Sequence, residues 1–116
     1  MPLIKANLSV QCSQEKKEAL ALLLSHVVAK GTSKPEAYVQ SIIEDCAVIS
    51  FAGEIKDSAL IEVRGIGGLT AAVNKSLSHH ICDAIESELG ISASSVYINF
   101  IEISASHWGH KGGTFA

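Results

Sequence analysis

The chain has 116 residues, of which nine are basic and twelve acidic, and its formal net charge is −3. This length predicts one domain covering residues 1–116. Because nucleic acids and anionic membranes are bound by clustered cations, an acidic chain without a Lys/Arg run argues against both partners. Hydrophobic residues make up 47% of the chain, which excludes a disordered protein. A small domain with this many hydrophobic residues is expected either to expose an apolar patch or to bury such a patch in an oligomer interface.

No targeting segment, metal or cofactor is predicted. The longest uninterrupted apolar run covers residues 19–24, far short of a membrane span, and no signal-peptide pattern opens the chain. We therefore expect a cytoplasmic protein. The spacings of Cys12, Cys46 and Cys82 fit no disulfide framework or zinc site, and we interpret them as small buried hydrophobes. No histidine is expected to ligate a metal, because none shows an acidic or cysteine partner at ligand spacing.

The first half of the chain predicts a strand, a helix and a second strand. Residues 3–10 alternate between apolar and polar, which is typical of a half-buried strand. Ser13 is a candidate N-cap, apolar residues at helical spacing follow it, and Gly31 is expected to end the helix in a left-handed conformation. After a turn at 34–35, residues 37–43 are predicted to form a strand. Residues 45–51 either continue that strand or enter a sheet again.

The second half repeats this order. Residues 58–64 alternate like a strand, a glycine-rich loop and an apolar helix face follow, Gly90 ends the helix, and 95–103 predict a strand. A shift of 59 positions places Gly31 on Gly90 and Tyr38 on Tyr97. We therefore interpret residues 2–52 and 58–103 as two copies of one unit, followed by a C-terminal tail over 104–116.

Two such units predict an α/β (α+β) fold. Each crossover is long enough to join parallel strands, so the expected structure is a four-stranded mixed sheet with two helices on one face. The opposite face would then be uncovered. We expect its apolar side chains to meet the sheets of other subunits.

The loop Gly65-Ile66-Gly67-Gly68 follows a strand and precedes a helix. Backbone N–H groups at such a helix N-terminus bind anions, for example a carboxylate. A dinucleotide site is not predicted, because Thr70 stands where that fingerprint needs its third glycine. A tight strand-to-helix turn explains the glycines equally well.

Pro2 is the candidate for catalysis. Removal of Met1 would leave its secondary amine at the chain terminus, with a starting pKa near ~8. An apolar pocket and a neighbouring cation both lower the pKa of such an amine, which makes it a suitable general base at neutral pH. The alternative is that the proline only begins an edge strand.

Several short motifs occur in a specific order along the whole chain: Pro2-Leu3-Ile4, Lys34-Pro35 with Tyr38, Gly65-Ile66-Gly67, Asn74-Lys75-Ser76, Val96-Tyr97-Ile98-Asn99 and Thr114-Phe115-Ala116. Taken together, they resemble the macrophage migration inhibitory factor family of the tautomerase superfamily.

The resemblance implies a tautomerase-like domain assembled as a homotrimer, with active sites between subunits. It implies cofactor-independent keto–enol tautomerisation of small aromatic α-keto acids such as phenylpyruvate, and of dopachrome-type substrates. The alternative is a cytokine-like or intracellular interaction protein with little physiological catalysis. Family members are also exported by unconventional routes, so the resemblance leaves export open.

The resemblance further implies a role for each matching residue. Pro2 corresponds to the general base, Lys34 to the lysine that pairs with substrate oxygen, and Ile66 to the residue whose backbone N–H binds the carboxylate. Tyr97 and Asn99 correspond to residues supplied by the adjacent subunit. Further aromatic wall positions are matched by Tyr38 and Phe115.

The chain also departs from the vertebrate pattern. Ser58 and Ile61 replace a CxxC pair, so a thiol-oxidoreductase activity is not expected, and Gly68 replaces a lysine. His110 stands at the position of a tail tryptophan, and Trp108 lies two residues earlier, which alters the pocket rim and with it the expected substrate preference.

Arg64 is the only arginine of the chain and lies near the loop. It is a candidate second cation of the site, and a place on the sheet surface explains it equally well. The superfamily's dehalogenation and decarboxylation chemistries use added arginines, and a single one ranks them behind tautomerisation.

Overall fold

The computed structural model describes all 116 residues and contains eight strands and two long helices. In chain order they are β1 (Leu3–Leu8), α1 (Gln14–Thr32), β2 (Gln40–Glu44), β3 (Ser50–Phe51), β4 (Glu54–Ile55), β5 (Ala59–Gly65), α2 (Ala71–Leu89), β6 (Val96–Glu102), β7 (Gly109–His110) and β8 (Gly113–Thr114). Single 3-10 turns cover Glu36–Tyr38, Ala93–Ser95 and Ala105–His107. Neither helix is long and apolar enough to cross a membrane.

Four strands form one mixed sheet in the order β2-β1-β5-β6. The pairs β1/β2 and β5/β6 are parallel, and the central pair β1/β5 is antiparallel. Leu3 lies opposite Gln40 and Ala59 lies opposite Val96, so both parallel pairs join residues 37 positions apart. The prediction of a four-stranded mixed sheet is confirmed.

Both helices pack on the same face of this sheet. The alternation of β1 and β5 directs their aliphatic side chains into this layer, where β1 contributes Ile4, Ala6 and Leu8. The facing helix residues are fully buried and include Leu24, Ile81 and Ile85 among others. The aliphatic excess of the composition therefore lies mainly between sheet and helices.

The other face of the sheet is uncovered, and it is more polar than expected. Side chains of opposite charge pair there, Lys5 with Glu44 at 3.7 Å and Arg64 with Glu62 at 3.5 Å. Seven of its twelve residues are polar, and the strand registers place on it Leu3, Lys5, Asn7, Gln40, Ile42, Glu44, Leu60, Glu62, Arg64, Tyr97, Asn99 and Ile101. The expectation that this face is chiefly apolar is wrong, because the polar positions of the alternating strands all point to it.

The helix ends show two agreements and one correction. Ser13 caps α1, and its Oγ accepts the backbone N–H of Lys16 at 3.1 Å, as predicted. The left-handed residue that ends α1 is Ser33 (φ 57°), whereas Gly31 lies inside the last turn. Gly90 ends α2 with φ 70° as predicted.

Gly31 is needed for contact between the helices, which is why local sequence signals misplaced the helix end. A Cβ atom at this position would overlap the side chain of Leu77 on α2, and Leu77 is almost completely buried. The glycine therefore leaves room for the Leu77 side chain against the backbone of α1, and the helix continues through it.

We expect Gly31→Ala to destabilise the protein although alanine is the better helix former. The overlap costs about 1–3 kcal/mol, which outweighs or cancels the gain of at most ~1 kcal/mol in helix propensity. Chemical denaturation at fixed protein concentration measures the change. The double variant Gly31→Ala/Leu77→Ala should be more stable than the sum of the single effects predicts, because the smaller side chain makes room. An alanine variant more stable than the parent would contradict this packing.

Parts of both repeats also differ from expectation. The second strand begins at Gln40 and not at 37, because residues 36–38 form a 3-10 turn. Residues 50–55 form the hairpin β3/β4, which is separate from the main sheet. Cys46 is exposed in a left-handed conformation after β2, so it is not the buried hydrophobe that was expected. Cys12 and Cys82 are half-buried and pack against the hydrophobic core, which agrees in part with that interpretation.

Candidate active site

Pro2 lies immediately before β1, at the end of the sheet. It is buried, and its carbonyl oxygen accepts the backbone N–H of Gln40 at 3.1 Å, which ties it to the start of β2. It borders a cavity of about 680 Å³. The cavity is also lined by Met1, Tyr38, Gln40, Trp108, His110 and Phe115.

Lys34 joins the end of α1 to the loop before α2. Its backbone N–H donates to Ala29 at 3.1 Å, within the C-terminal capping of the helix. Its Nζ donates to the carbonyl oxygen of Ile66 at 3.4 Å. The ammonium group is close to Gly68, since a Cβ added there would lie 4.0 Å from Nζ. A Cβ at position 68 would therefore be in ordinary van der Waals contact with the Lys34 side chain.

The terminal amine belongs to the same neighbourhood. Burial, and secondly the charge of Lys34, lower the pKa of the Met1 ammonium group below its ordinary value. Both causes act against the charged form of an amine. Pro2, Lys34 and Ile66 are therefore brought to one end of the sheet.

The aromatic residues of the cavity come from two elements. Tyr38 lies on the 3-10 turn after α1 and is half-exposed. Phe115 follows the tail hairpin β7/β8, its N–H donates to the carbonyl of Trp108 at 3.2 Å, and its ring stacks on His110 at 5.4 Å. The C-terminal tail thus contributes an ordered wall of the cavity.

The glycine-rich loop binds an anion from its own chain. The carboxylate of Glu102 accepts the backbone N–H of Leu69 at 3.0 Å, and Thr70 caps α2 by accepting the N–H of Val73. Sequence reasoning did not find Glu102, because it is 33 residues away from its partner. Sequence reasoning also did not find Gln40. Its position follows from the parallel pairing of β1 with β2, in which Gln40 lies opposite Leu3.

Tyr97 and Asn99 are not brought to Pro2 within one chain. Tyr97 lies opposite Leu60, which lies opposite Asn7, so it is at the far end of the sheet. Five residues along a strand and two strands across correspond to a separation of about 19 Å. Tyr97 is 67% exposed, and its ring contacts Phe51 with centroids 4.7 Å apart. A role at the Pro2 cavity therefore requires a second copy of the chain.

Two of the five histidines lie beside carboxylates at the surface. His79 lies 3.3 Å from Asp83, and His26 lies 3.5 Å from Glu36, so acidic partners exist that the sequence reading did not find. No group of three or more His, Cys, Asp or Glu side chains comes together.

A mixed four-stranded sheet covered by two helices is the fold of solved structures that are MIF/tautomerase-like. A family model described as macrophage migration inhibitory factor (MIF) matches residues 1–116. The chain belongs to the macrophage migration inhibitory factor family. Its function is therefore of the tautomerase/MIF type, and proteins of this family are typically oligomers.

Individual relatives agree over the full length. The macrophage migration inhibitory factor of Xenopus laevis is 31% identical over 116 residues, covering 100% of both chains. The crystal structure of a homologue from Prochlorococcus marinus is 32% identical with a TM-score of 0.93, covering 98% of this chain and 99% of that one. The structure of a similar protein from Entamoeba histolytica is 29% identical with a TM-score of 0.90, covering 98% of each chain.

Proposed function

We propose that this protein is a cofactor-independent tautomerase that interconverts the keto and enol forms of small aromatic α-keto acids. Phenylpyruvate is the model substrate, and dopachrome-type compounds belong to the same proposal. The observation that carries it is the position of Pro2. It is buried, borders an aromatic cavity and lies close to Lys34, the only cation that hydrogen-bonds to the loop at Ile66. Pro2 is the general base in this mechanism.

The reaction is a proton shift between carbon and oxygen. The free Pro2 amine takes a proton from the carbon beside the carbonyl, and the electron pair left on carbon forms the C=C bond of the enolate. The developing oxyanion is stabilised by the Lys34 ammonium group. The protonated amine then returns the proton to oxygen, which gives the enol and restores the base.

The environment of the amine favours this role. Once Met1 is removed, the Pro2 nitrogen becomes the chain terminus, and burial together with Lys34 acts on it as on the Met1 amine, whose pKa is lowered. A lower pKa leaves more free base at neutral pH, where a general base is most effective.

The walls of the cavity suit an aromatic substrate. Tyr38, Trp108 and Phe115 offer flat apolar surfaces for an aryl ring. An apolar wall also excludes water from the amine and strengthens its interaction with charge. The backbone N–H of Ile66 is proposed to bind the substrate carboxylate.

The proposed assembly is a homotrimer with one site at each interface. In it, Tyr97 and Asn99 of one subunit reach the Pro2 cavity of the next, since within a single chain the register holds Tyr97 about 19 Å and Asn99 about 14 Å from Pro2. Tyr97 would pack on the substrate ring, and Asn99 would bind a ring substituent. Both side chains are exposed on the edge strand, where a neighbouring subunit can use them.

The direct test is enol–keto conversion of phenylpyruvate, followed by ultraviolet absorbance. The protein should first be shown by mass spectrometry to lack Met1. Conversion well above the buffer rate supports the proposal. Absence of turnover with phenylpyruvate and other aryl keto acids would overturn it.

We expect Lys34→Met to lower activity and to move its pH dependence. Removing the cation raises the pKa of the Pro2 amine, so the rising limb of kcat/KM should shift to higher pH. Loss of the oxyanion partner should in addition lower the plateau by about 10–100-fold. Lys30→Met, which removes a nearby cation from the last turn of α1, is the matched control. An unshifted limb would show that Lys34 does not act on the base.

A second candidate is an interaction protein that uses its surface. Val48 and Ile55 are 91% and 76% exposed and border a groove of about 370 Å³ near the β3/β4 hairpin. An exposed apolar pair of this kind is suited to contact with another protein. Turnover that vanishes in a variant at Pro2 favours the enzyme, whereas a correctly assembled wild type without turnover favours this alternative.

A further inference from the structure

A second, smaller cavity adjoins the Pro2 cavity. Its volume is about 230 Å³, and it shares Gln40, Trp108 and Gly109 with the larger one. Arg64 and His107 are among its other lining residues. A ligand in the Pro2 cavity can therefore extend past these shared residues toward Arg64.

Arg64 is placed there by the sheet register. It lies directly opposite Leu3 in the antiparallel pair, so its backbone is one strand spacing, about 4.8 Å, from the residue that follows Pro2. Its side chain is on the uncovered face and is 42% exposed. Because the chain has no other arginine, this is the only guanidinium that the protein offers.

Most hydrogen-bonding capacity of Arg64 is free for a ligand. One Arg64 nitrogen lies 3.5 Å from a carboxylate oxygen of Glu62. A guanidinium carries five N–H donors in a fixed fork, and that fork matches a carboxylate with two parallel bonds. The Glu62 contact is long and partly solvated, so a ligand carboxylate competes with it successfully.

We propose that the small cavity is a second anion subsite and that Arg64 selects keto acids carrying a second carboxylate at the end remote from the keto group. This inference rests on the proposed function, because it adds a subsite to the Pro2 site. The keto acid end would lie at Pro2 and Lys34, the middle of the molecule beside Trp108, and the distal carboxylate at Arg64. The Gln40 side chain offers an amide donor at the junction of the two cavities.

The charge pattern favours a substrate with a second carboxylate over a substrate whose remote end is neutral. Lys34 lies on the helix side of the sheet end, and Arg64 lies on the uncovered face, so the two cations approach the substrate path from different sides. A dianionic substrate places one charge near each cation. A substrate whose remote end is neutral would leave Arg64 paired only with Glu62.

The test compares phenylpyruvate with para-carboxyphenylpyruvate, which differ by one carboxylate. The measured quantity is the ratio of kcat/KM for the dianion to kcat/KM for the monoanion. Wild type should prefer the dianion, and Arg64→Met should lower the ratio about fivefold to tenfold, as expected for a partly exposed charge pair. Arg64→Lys should keep part of the preference, because the charge remains but the fork is lost. Glu62→Gln should raise the ratio, since it removes the competing carboxylate.

Lys5→Met is the matched control. Lys5 is a cation on the same face, paired with Glu44, and it lines neither cavity. Its removal should leave the ratio unchanged, and melting temperatures should show that all variants fold. An unchanged ratio in folded Arg64→Met overturns the subsite while leaving the tautomerase proposal intact. If wild type converts neither keto acid, the proposed function fails, and calorimetric Kd values for the same two compounds and variants then decide the subsite separately.

Discussion

Replacing Pro2 by glycine is expected to lower kcat/KM for phenylpyruvate by about a hundredfold or more, within the range that general bases contribute. Glycine keeps an amine at the chain terminus but loses the pyrrolidine ring, which fixes the direction of the nitrogen lone pair. The buried site at the start of β1 then holds a mobile primary amine. The loss should fall mainly on kcat, because Lys34 and the aromatic walls still bind the substrate.

A second variant removes the basic nitrogen without changing any residue of the chain. A short N-terminal extension that blocks Met1 removal leaves the Pro2 nitrogen in an amide, which has no basicity, so activity should fall to the background. The matched control carries the same extension behind a protease site, and cleavage that exposes Pro2 should restore turnover. Full activity in the blocked protein would exclude Pro2 as the base. Light scattering should confirm that the assembly is unchanged in each case.

The parts of the fold with regular periodicity were predictable from the sequence. The period of two in β1 and β5 separates their buried from their exposed side chains, and the confirmed four-stranded sheet follows from two such strands and their crossovers. Ser13 and Gly90 are local signals that act on their own helix ends, and both were placed correctly. Local chemistry is sufficient wherever neighbours in sequence determine the conformation.

Long-range contacts account for the errors. Gly31 looks like a helix end in isolation, but its contact with Leu77 on the other helix explains why α1 continues through it. Glu102 binds the loop N–H of Leu69 across 33 residues, and no pattern near the loop indicates this. At the site, residue chemistry alone suggested Pro2 and the loop, whereas the roles of Lys34 and Tyr97 came from family resemblance.

Mixing two impaired variants is expected to raise activity if the site lies between subunits. The first variant is Pro2→Gly, and the second is Tyr97→Ala/Asn99→Ala, which should lose about tenfold or more through missing contacts to the substrate ring. In the proposed trimer, which has a mass of about 37 kDa from three chains of 12.2 kDa, each site takes Pro2 from one subunit and Tyr97 from its neighbour. When equimolar amounts refold and assemble at random, half of the sites receive an intact Pro2. Half of those also receive an intact neighbour, so about a quarter of the sites are intact.

The control for this experiment places all three substitutions on one chain and mixes it with wild type. If the site lies between subunits, about a quarter of the sites in this mixture are again intact. If the site lies within one chain, about a half of them would be intact. The two mixtures therefore give equal activity only for a shared site. Because the register puts Tyr97 and Pro2 at opposite ends of one sheet, we expect this equality. No recovery in the first mixture would mean that Tyr97 and Asn99 do not complete a neighbour's Pro2 site.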